Sequence, residues 1–353
     1  MTSKVTVLTT VYNTNLLHLK ECIESILNQT YKDFEYLIID DNSTDLKVSK
    51  LIESYQDKRI IFHRNVSNLG VSETINKALS MTDSKYIVRA DHDDISSHDR
   101  VLKQIDYLES NPELSAICSW EITIDGKGKK IRSWESNIDN YGEFLGPVLL
   151  GLSPIWHPSI AFKREDVVSI GGFNKKYIRA EDGELTTRLA LMRYSAAIIP
   201  EYLVFQRNHG SNQTNTFNKE MIEMKNLIHF EAINKFLPLK EAKELGPFLR
   251  MEKNISFNKK HVLKMETLIN ILFLKVEIKQ KLSQRELNSL KRIIFRRIGI
   301  GIPLLNFYRL FPSALFMFIF FLFSPLYLKS FYEIISKSYH LYRRAIFFFF
   351  KRK

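Results

Sequence analysis

The chain has 353 residues, which is enough for one large domain or for one domain with an appendage. Its apolar fraction of 45% and charged fraction of 25% are typical of a folded globular protein and exclude a chain that is disordered throughout. The two cysteines, Cys22 and Cys118, lie far apart and have no Cys or His at metal-binding spacing. This excludes a disulfide framework and a zinc site, and it predicts a reducing compartment.

The net charge of +12 is concentrated in the second part of the chain. Residues 219–353 carry 26 Lys and Arg against 10 Asp and Glu, so the preceding residues have a net charge near −4. Basic segments bind phosphates, either on nucleic acid or on anionic lipid. Here they are interleaved with Phe and Leu, so we expect an anionic membrane surface and no nucleic-acid partner. The first residues hold too few apolar side chains for a signal peptide, so we expect a cytoplasmic protein.

The first part of the chain alternates between strand and helix patterns. Four short apolar runs are typical of strands that are buried on both faces. The runs are residues 4–10, 34–39, 60–62 and 86–88. Between them, apolar residues recur at helical spacing from Leu19, Val71 and Val101. This alternation predicts a doubly wound, mostly parallel sheet that binds ligands beyond the carboxyl ends of its strands.

After Ile117 the alternation becomes weaker. Residues 125–128 (Asp-Gly-Lys-Gly) predict a turn between two short strands. Residues 157–162 predict a further strand, and residues 184–192 predict a helix. From Phe217 onward the pattern is helical and basic.

The last part of the chain is both apolar and basic. Residues 310–328 are almost entirely apolar and lie between Arg309 and Lys329, and a second apolar patch at 345–350 precedes Lys-Arg-Lys. The first segment is near the lower length limit for a membrane-spanning helix, and two prolines shorten it. It could therefore span the bilayer, pack on the domain, or lie in the interface of an anionic leaflet. We expect the last of these, with the protein associated peripherally or monotopically with the inner face of the plasma membrane.

Three polar clusters follow three of the predicted strands. They are residues 9–13, 40–45 and 89–94. Each alone could simply end a strand and cap the next helix. In a parallel sheet, however, all three emerge at one edge, where five or six carboxylates would crowd together unless a cation compensates them. An oxygen-only ligand set favours Mg²⁺ or Mn²⁺. The chain lacks the glycine-rich loops of P-loop NTPases and dinucleotide dehydrogenases.

An ordered series of motifs resembles family-2 glycosyltransferases over roughly residues 4–212. The motifs are residues 5–13, 22–31, 34–45, 68–70 with Asn76, 86–96 with Arg100, 157–159, 171–173, 180–182, Arg188 and 207–209. The resemblance implies an α/β fold of the GT-A type, a doubly wound, mostly parallel sheet flanked by helices. We divide the chain into a catalytic domain at 1–215, a helical basic extension at 216–300 and a membrane-associating tail at 301–353. In the catalytic domain, residues 1–115 would bind the nucleotide-sugar and 116–215 the acceptor.

The resemblance also implies roles for individual residues. Nucleotide-sugar-binding positions are Thr10, Tyr12, Asp41, Asn68 and Asp91, with Asp41 accepting from the base. Asp93, together with Asp91, matches the metal-binding Asp-x-Asp motif, and Asp94 either assists or caps the helix that follows near His98. Asp182 matches the general base, with Glu181 as the alternative. Positions near the acceptor or the phosphates, or else in structural pairs, are His157, Arg188, Arg207 and His209.

The implied reaction is a single displacement at the anomeric carbon with inversion, helped by Mn²⁺ or Mg²⁺. The donor is a nucleotide diphosphate-sugar, with uridine ahead of thymidine and guanosine. The acceptor is a glycan or a polyprenyl-diphosphate-linked sugar in cell-surface polysaccharide assembly. The chain lacks the Gln-x-x-Arg-Trp sequence of processive synthases, so we expect transfer of one or a few sugars. A non-catalytic scaffold of a polysaccharide assembly complex is the alternative, whereas a nucleotidyltransferase would need a glycine- and lysine-rich loop after the first strand.

Overall fold

The computed structural model describes residues 3–209, 219–251 and 259–301 of the chain. Within these residues one nine-stranded sheet forms the centre of the fold. The strands are β1 (Val5–Val11), β2 (Glu35–Asp40), β3 (Ile60–Arg64), β4 (Tyr86–Arg89), β5 (Ile95–Ser96), β6 (Leu114–Asp125), β7 (Lys130–Trp134), β8 (Ala161–Lys163) and β9 (Ser195–Asn208). Their order is β3-β2-β1-β4-β8-β6-β9-β5, and β7 pairs with β6 beside this path.

Helices lie on both faces of the sheet. In the described ranges they are α1 (Leu16–Leu27), α2 (Lys47–Glu53), α3 (Val71–Met81), α4 (Arg100–Ser110), α5 (Tyr141–Leu149), α6 (Arg164–Ser169), α7 (Glu181–Leu191), α8 (Lys219–Asn234), α9 (Leu239–Arg250), α10 (Lys259–Gln280) and α11 (Gln284–Gly301). One apolar core packs α1, α2 and α4 against the sheet. A second core packs α3, α5 and α7 to α11 against the other face.

The parallel half of the sheet confirms the predicted strands. β3, β2, β1 and β4 run parallel to one another, with Val7 opposite both Tyr36 and Val88. These three residues are fully buried, as continuous apolar runs in such a sheet should be. The carboxyl ends of β2, β1 and β4 therefore lie side by side, and the loops that follow them meet at one edge.

The second half of the sheet differs from the sequence prediction. A turn does occupy residues 125–128, but β6 before it has twelve residues and is not short. Residues 157–162 are not one strand, because His157–Ser159 form a 3₁₀ turn before β8. β9 was not predicted, since Pro200 interrupts its apolar pattern. It pairs with β6 through register shifts around Trp120, and such irregularities accommodate a proline within a strand.

The predicted basic extension packs closely on the preceding domain. Phe144 and Leu145 of α5 lie in the same core as Ile233 of α8 and Leu290 and Ile294 of α11. The helices of the extension thus complete the apolar core on one face of the sheet. No described helix is long and apolar enough to cross a membrane. The predicted tail at 310–328 and 345–350 lies outside the described residues.

Candidate active site

Hydrogen bonds tie together the three loops at the carboxyl edge of the sheet. The Asn13 side-chain oxygen accepts from the backbone N–H of Thr44 at 2.8 Å, which joins the loops after β1 and β2. Thr14 Oγ1 and His92 Nδ1 lie 2.8 Å apart, which joins the loops after β1 and β4. Asn13 has a positive φ of 48°, a conformation that asparagine tolerates better than most residues. The predicted meeting of the three loops is confirmed.

Two of the carboxylates predicted to crowd in one crevice, Asp40 and Asp45, instead have local partners. Asp40 is buried, pairs with Arg64 and accepts from Ser49 Oγ at 2.8 Å. Asp45 accepts from the backbone N–H of Lys47 at the start of α2. Among the described residues no three His, Cys, Asp or Glu side chains cluster as metal ligands. Asp40 and Asp45 are thus compensated within the protein, whereas Asp91, Asp93 and Asp94 lie close enough for the charges of the first two to raise the pKa of Asp94.

Asp41 is buried and already hydrogen bonded within the protein. Its Oδ1 accepts from Asn65 Nδ2 at 2.7 Å and from the N–H of Leu69 at 2.9 Å, and its Oδ2 accepts from the N–H of Gly70 at 2.8 Å. Asn68 Nδ2 donates to the Asp41 carbonyl at 3.2 Å. Asp41 and Asn68 therefore hold the loop that leads into α3. Contact of either with a nucleotide base stays a prediction.

Thr10 and Tyr12 lie at the end of β1, beside this loop. Thr10 is half-buried in the strand and faces Ile39 of β2 in the register. Tyr12 follows the strand and leaves 46% of its surface exposed. An exposed aromatic ring at the carboxyl edge of a parallel sheet is placed where a base could stack on it.

The loop after β4 carries the predicted Asp-x-Asp motif. Asp91 pairs with Arg89 at 2.7 Å and its side chain is 26% exposed. Asp93 Oδ2 lies 2.9 Å from His209 Nε2, and its side chain is 14% exposed. Asp94 is buried, and burial and the charges of Asp93 and Asp91 raise its pKa well above the ordinary value. It accepts from the N–H of Arg207 and does not cap α4.

Arg207 fixes the position of this loop. Its guanidinium Nε donates to the Asp93 carbonyl at 3.0 Å, and Nη2 pairs with Glu21 of α1 at 2.6 Å. The side chain is buried, 2% exposed in the ion pair. Arg207 at the end of β9 thus holds the Asp-x-Asp loop through structural pairs, while contact with a phosphate or the acceptor stays a prediction.

Asp91 and Asp93 suit a hard divalent cation that takes few protein ligands. Such ions are often bound through one or two carboxylates, with substrate phosphates and water completing the shell. Asp93 and Asp91 remain partly accessible from the edge of the sheet, and His209 presents a ring nitrogen beside Asp93. The two carboxylates therefore fit Mn²⁺ or Mg²⁺ in chemical type, and binding of either ion stays a prediction.

Glu181 and Asp182 are the first two residues of α7. Burial, followed by the charge of Asp182, raises the pKa of Glu181 to about 7. The charges of Arg89 and Asp91 also act on the pKa of Glu181, so the Glu181 carboxyl lies near the loop after β4. Asp182 Oδ1 accepts from the N–H of Gly183 at 2.7 Å, and a helix N-terminus stabilises a carboxylate. The general-base role of Asp182, or of Glu181 as the alternative, stays a prediction.

His157 lies beside Arg89, the last residue of β4. Its ring contacts the Arg89 guanidinium, and the ring centroid is 6.0 Å from that of Phe173. Burial and the positive charge of Arg89 lower the pKa of His157 well below its ordinary value. His157 is therefore neutral at pH 7 and holds Arg89 against Asp91, while acceptor contact stays a prediction.

Arg188 has a structural role in the loop before α7. Its guanidinium pairs with Glu184 at 2.5 Å and donates to the carbonyls of Ile170 and Gly172. Gly172 has a φ of +69°, and a Cβ there would lie 2.3 Å from the Asn76 side-chain oxygen. Only glycine fits this close approach. The donors of Arg188 are thus used in structural pairs within the protein, and contact with a phosphate or the acceptor stays a prediction.

Glu121 is a buried acidic residue that the sequence analysis did not select. It lies in β6 with 1% exposure, and among the described residues neither carboxylate oxygen has a hydrogen-bond partner. Burial raises its pKa to about 8, while nearby Ser159 and Arg100 oppose this rise and Asp91 adds to it. An acidic residue within an otherwise apolar strand was the sequence signal for this position.

We expect Glu121→Gln to flatten the dependence of stability on pH. The raised pKa means that the folded state holds the proton more tightly than the unfolded chain. The wild-type free energy of unfolding should therefore fall as pH rises from the ordinary pKa of 4.5 to about 8, by about 1.4 kcal/mol for each pH unit in that interval. Urea denaturation across this range measures both proteins. Parallel curves would contradict the assignment.

Comparison with known proteins agrees with this geometry. Residues 6–171 match the family described as glycosyl transferase family 2. An uncharacterized glycosyltransferase of Methanocaldococcus jannaschii is 35% identical over 205 residues, which cover 58% of this chain and 70% of that protein. The Escherichia coli UDP-Gal:alpha-D-GlcNAc-diphosphoundecaprenol beta-1,3-galactosyltransferase is 28% identical over 185 residues, which cover 50% of this chain and 64% of that protein.

A solved structure shares the fold. The crystal structure of S. aureus TarS 1-349 in complex with UDP-GlcNAc aligns with a TM-score of 0.55 and 15% sequence identity, covering 86% of this chain and 83% of that chain. At this identity the likeness concerns the fold, which is of the GT-A type. The matching family, the archaeal relative and the fold lead to one conclusion. The chain is a glycosyltransferase and belongs to family 2.

Proposed function

We propose that this protein transfers a sugar, with inversion, from a uridine diphosphate-sugar to a hydroxyl of a glycan or lipid-linked sugar. The observation that supports this most strongly is the arrangement at the carboxyl edge of the sheet. Asp91 and Asp93 lie on the loop after β4, and Glu181 and Asp182 begin α7, where Glu181 is close enough to Asp91 for that charge to act on its pKa. A donor diphosphate and an acceptor hydroxyl would thus bind between two pairs of carboxylates.

Each residue has a definite task in the proposed reaction. The exposed ring of Tyr12 stacks on the base, and Asp93 and Asp91 hold Mn²⁺ or Mg²⁺, with His209 beside them. When bound, the ion supplies Lewis-acid stabilisation of the departing diphosphate. Asp182 takes the proton of the acceptor hydroxyl as its oxygen bonds to the anomeric carbon and the bond from that carbon to the diphosphate breaks.

The lipid-linked acceptor is supported by a relative and by the chain's charge. The E. coli relative carries a name in which the acceptor is GlcNAc-diphosphoundecaprenol. The basic and apolar residues of 301–353 would place this protein on an anionic inner leaflet, where such an acceptor is found. Cell-surface polysaccharide assembly is the process that this acceptor implies.

The proposal is tested by a thermal-shift panel of UDP, dTDP, GDP, CDP and AMP, each with and without Mn²⁺. A ligand that binds only the folded state stabilises it by about 2.7 kcal/mol at a hundredfold excess over its dissociation constant. We expect a Mn²⁺-dependent shift with UDP and a smaller shift, or none, with the others. If no nucleotide raises the melting temperature, the chain is a non-catalytic scaffold and the proposal is wrong.

Membrane association makes a separate prediction. A variant that ends before Leu310 should move to the soluble fraction after lysis, because it lacks the apolar and basic tail. It should keep the nucleotide-induced thermal shift, since the residues proposed to bind the donor precede the deletion. Fractionation of wild type and variant at matched salt measures the effect. An unchanged membrane fraction would exclude the tail as the anchor.

A further inference from the structure

The three tryptophans of the chain belong to two aromatic pairs, and one of them, Trp156, immediately precedes His157. The rings of Trp134 and Trp156 are stacked, with centroids 5.0 Å apart and an angle of 21° between their planes. Trp120 lies against Tyr202, with centroids 5.5 Å apart. We call Trp120, Trp134, Trp156 and Tyr202 the aromatic cluster. β6, β7 and β9 carry three of its members, so the paired strands fix their relative positions.

The aromatic cluster is packed on one side and accessible on the other. Its three tryptophans pack against the apolar core, yet each is only half-buried. Trp120 Nε1 donates to the Ser136 carbonyl at 2.8 Å. Trp156 Nε1 is shielded from solvent and has no hydrogen-bond partner among the described residues. A buried indole N–H normally has a partner, so this one is a donor that a bound oxygen could satisfy after a small movement.

The cluster is joined directly to the groups proposed for catalysis. Trp156 immediately precedes His157, whose ring contacts Arg89, and Arg89 pairs with Asp91. Trp134 pairs in the sheet with Glu121, whose pKa responds to the charge of Asp91. The acceptor hydroxyl must approach the same carboxylates to lose its proton. The stacked indoles therefore adjoin, in the chain and in the sheet, two residues that lie near Asp91.

We propose that the stacked pair Trp134 and Trp156 binds the acceptor as a pyranoside, with an apolar C–H face of the sugar ring against an indole. This inference rests on the proposed function and names the chemistry of the acceptor's reacting unit. Indoles give a large, rigid contact area at little entropic cost, and such a surface suits a ring with one apolar face. A serine or threonine of a protein, or a bare lipid alcohol, would leave this surface unused.

Intrinsic fluorescence reports on the proposed subsite, because all three tryptophans belong to the cluster. The probes are the methyl glycosides of glucose, galactose, N-acetylglucosamine and N-acetylgalactosamine, with sorbitol as an acyclic polyol control. Each is titrated with Mn²⁺ in the presence and absence of UDP. We expect a saturable change in tryptophan emission with at least one pyranoside and no saturable change with sorbitol. Emission that stays constant with every pyranoside would overturn the inference.

Variants identify the rings that carry the binding. Trp156→Leu should raise the half-saturating concentration of that pyranoside about tenfold, because an aromatic contact of this kind contributes up to a factor of that size. Trp156→Phe keeps a ring and should stay within about threefold. Trp134→Leu removes the other ring and serves if Trp156→Leu does not fold. Tyr107→Leu on α4, which packs against the other core, is the matched control and should bind like wild type.

The proposed tryptophan subsite and the proposed transferase function can be contradicted separately. The UDP-induced thermal shift is measured on every variant, since the donor residues lie on other loops. A kept UDP shift with unaltered pyranoside binding in both leucine variants would overturn the tryptophan subsite and leave the proposed transferase intact. The absence of a UDP-induced thermal shift in the wild-type protein would instead contradict the proposed function.

Discussion

Asp93→Asn should reduce sugar transfer at least about a hundredfold, because it removes a charged oxygen from the proposed metal site. Asparagine has almost the shape of aspartate and can keep a contact with His209, which lies 2.9 Å from the Asp93 carboxylate. The backbone of Asp93 is held by Arg207, so the loop after β4 should keep its place. We therefore expect a folded protein that fails to bind UDP with Mn²⁺.

The measurement combines the rate of UDP-sugar consumption with the UDP-induced thermal shift over a range of Mn²⁺ concentrations. Asp99→Asn is the matched control, because Asp99 is also an aspartate near this loop but pairs with Lys103 at the surface. It should leave both readings unchanged. A Mn²⁺-dependent shift of wild-type size in Asp93→Asn would show that the ion is bound elsewhere.

The sequence sufficed for the parallel half of the fold because the relevant patterns are local. Val5–Val11 and Tyr86–Arg89 are short strands rich in apolar and β-branched residues, and apolar residues at helical spacing follow each. Parallel neighbours must bring their following loops to one edge, so Asp91 and Tyr12 could be placed together without coordinates. The family motif at residues 180–182 then indicated Glu181 and Asp182, which begin α7.

The remaining features depend on contacts between residues that are distant in the chain. Asp41 could not be recognised as a buried acceptor for the N–H groups of Leu69 and Gly70, because that requires the path of a loop 28 residues later. Arg207 lies 114 residues after the Asp93 carbonyl that it binds. β9 was missed because Pro200 hides its alternation until pairing with β6 is known. The polar residues that follow each strand could thus be recognised from the sequence. Which of their charges are paired within the protein depends on tertiary contacts.

Asp182→Asn should lower the turnover number by about 10²- to 10⁴-fold, which is the usual contribution of a general base. Glu181→Gln should cost less, because we assign the proton transfer to Asp182 and an electrostatic role to Glu181. Burial is the largest cause of the raised pKa of Glu181, and the charge of Asp182 is the second. The two carboxylates are therefore coupled. Removing that charge should therefore lower the pKa of Glu181 below about 7.

The dependence of the rate on pH separates the two residues. In wild type, ionisation of Glu181 with a pKa of about 7 should produce a change in turnover near neutral pH. Glu181→Gln should remove that change and keep most of the activity, whereas Asp182→Asn should shift it to lower pH at a much lower rate. If Glu181→Gln instead causes the larger loss, then Glu181 is the base, as its pKa near neutrality would allow, and Asp182 serves to raise that pKa.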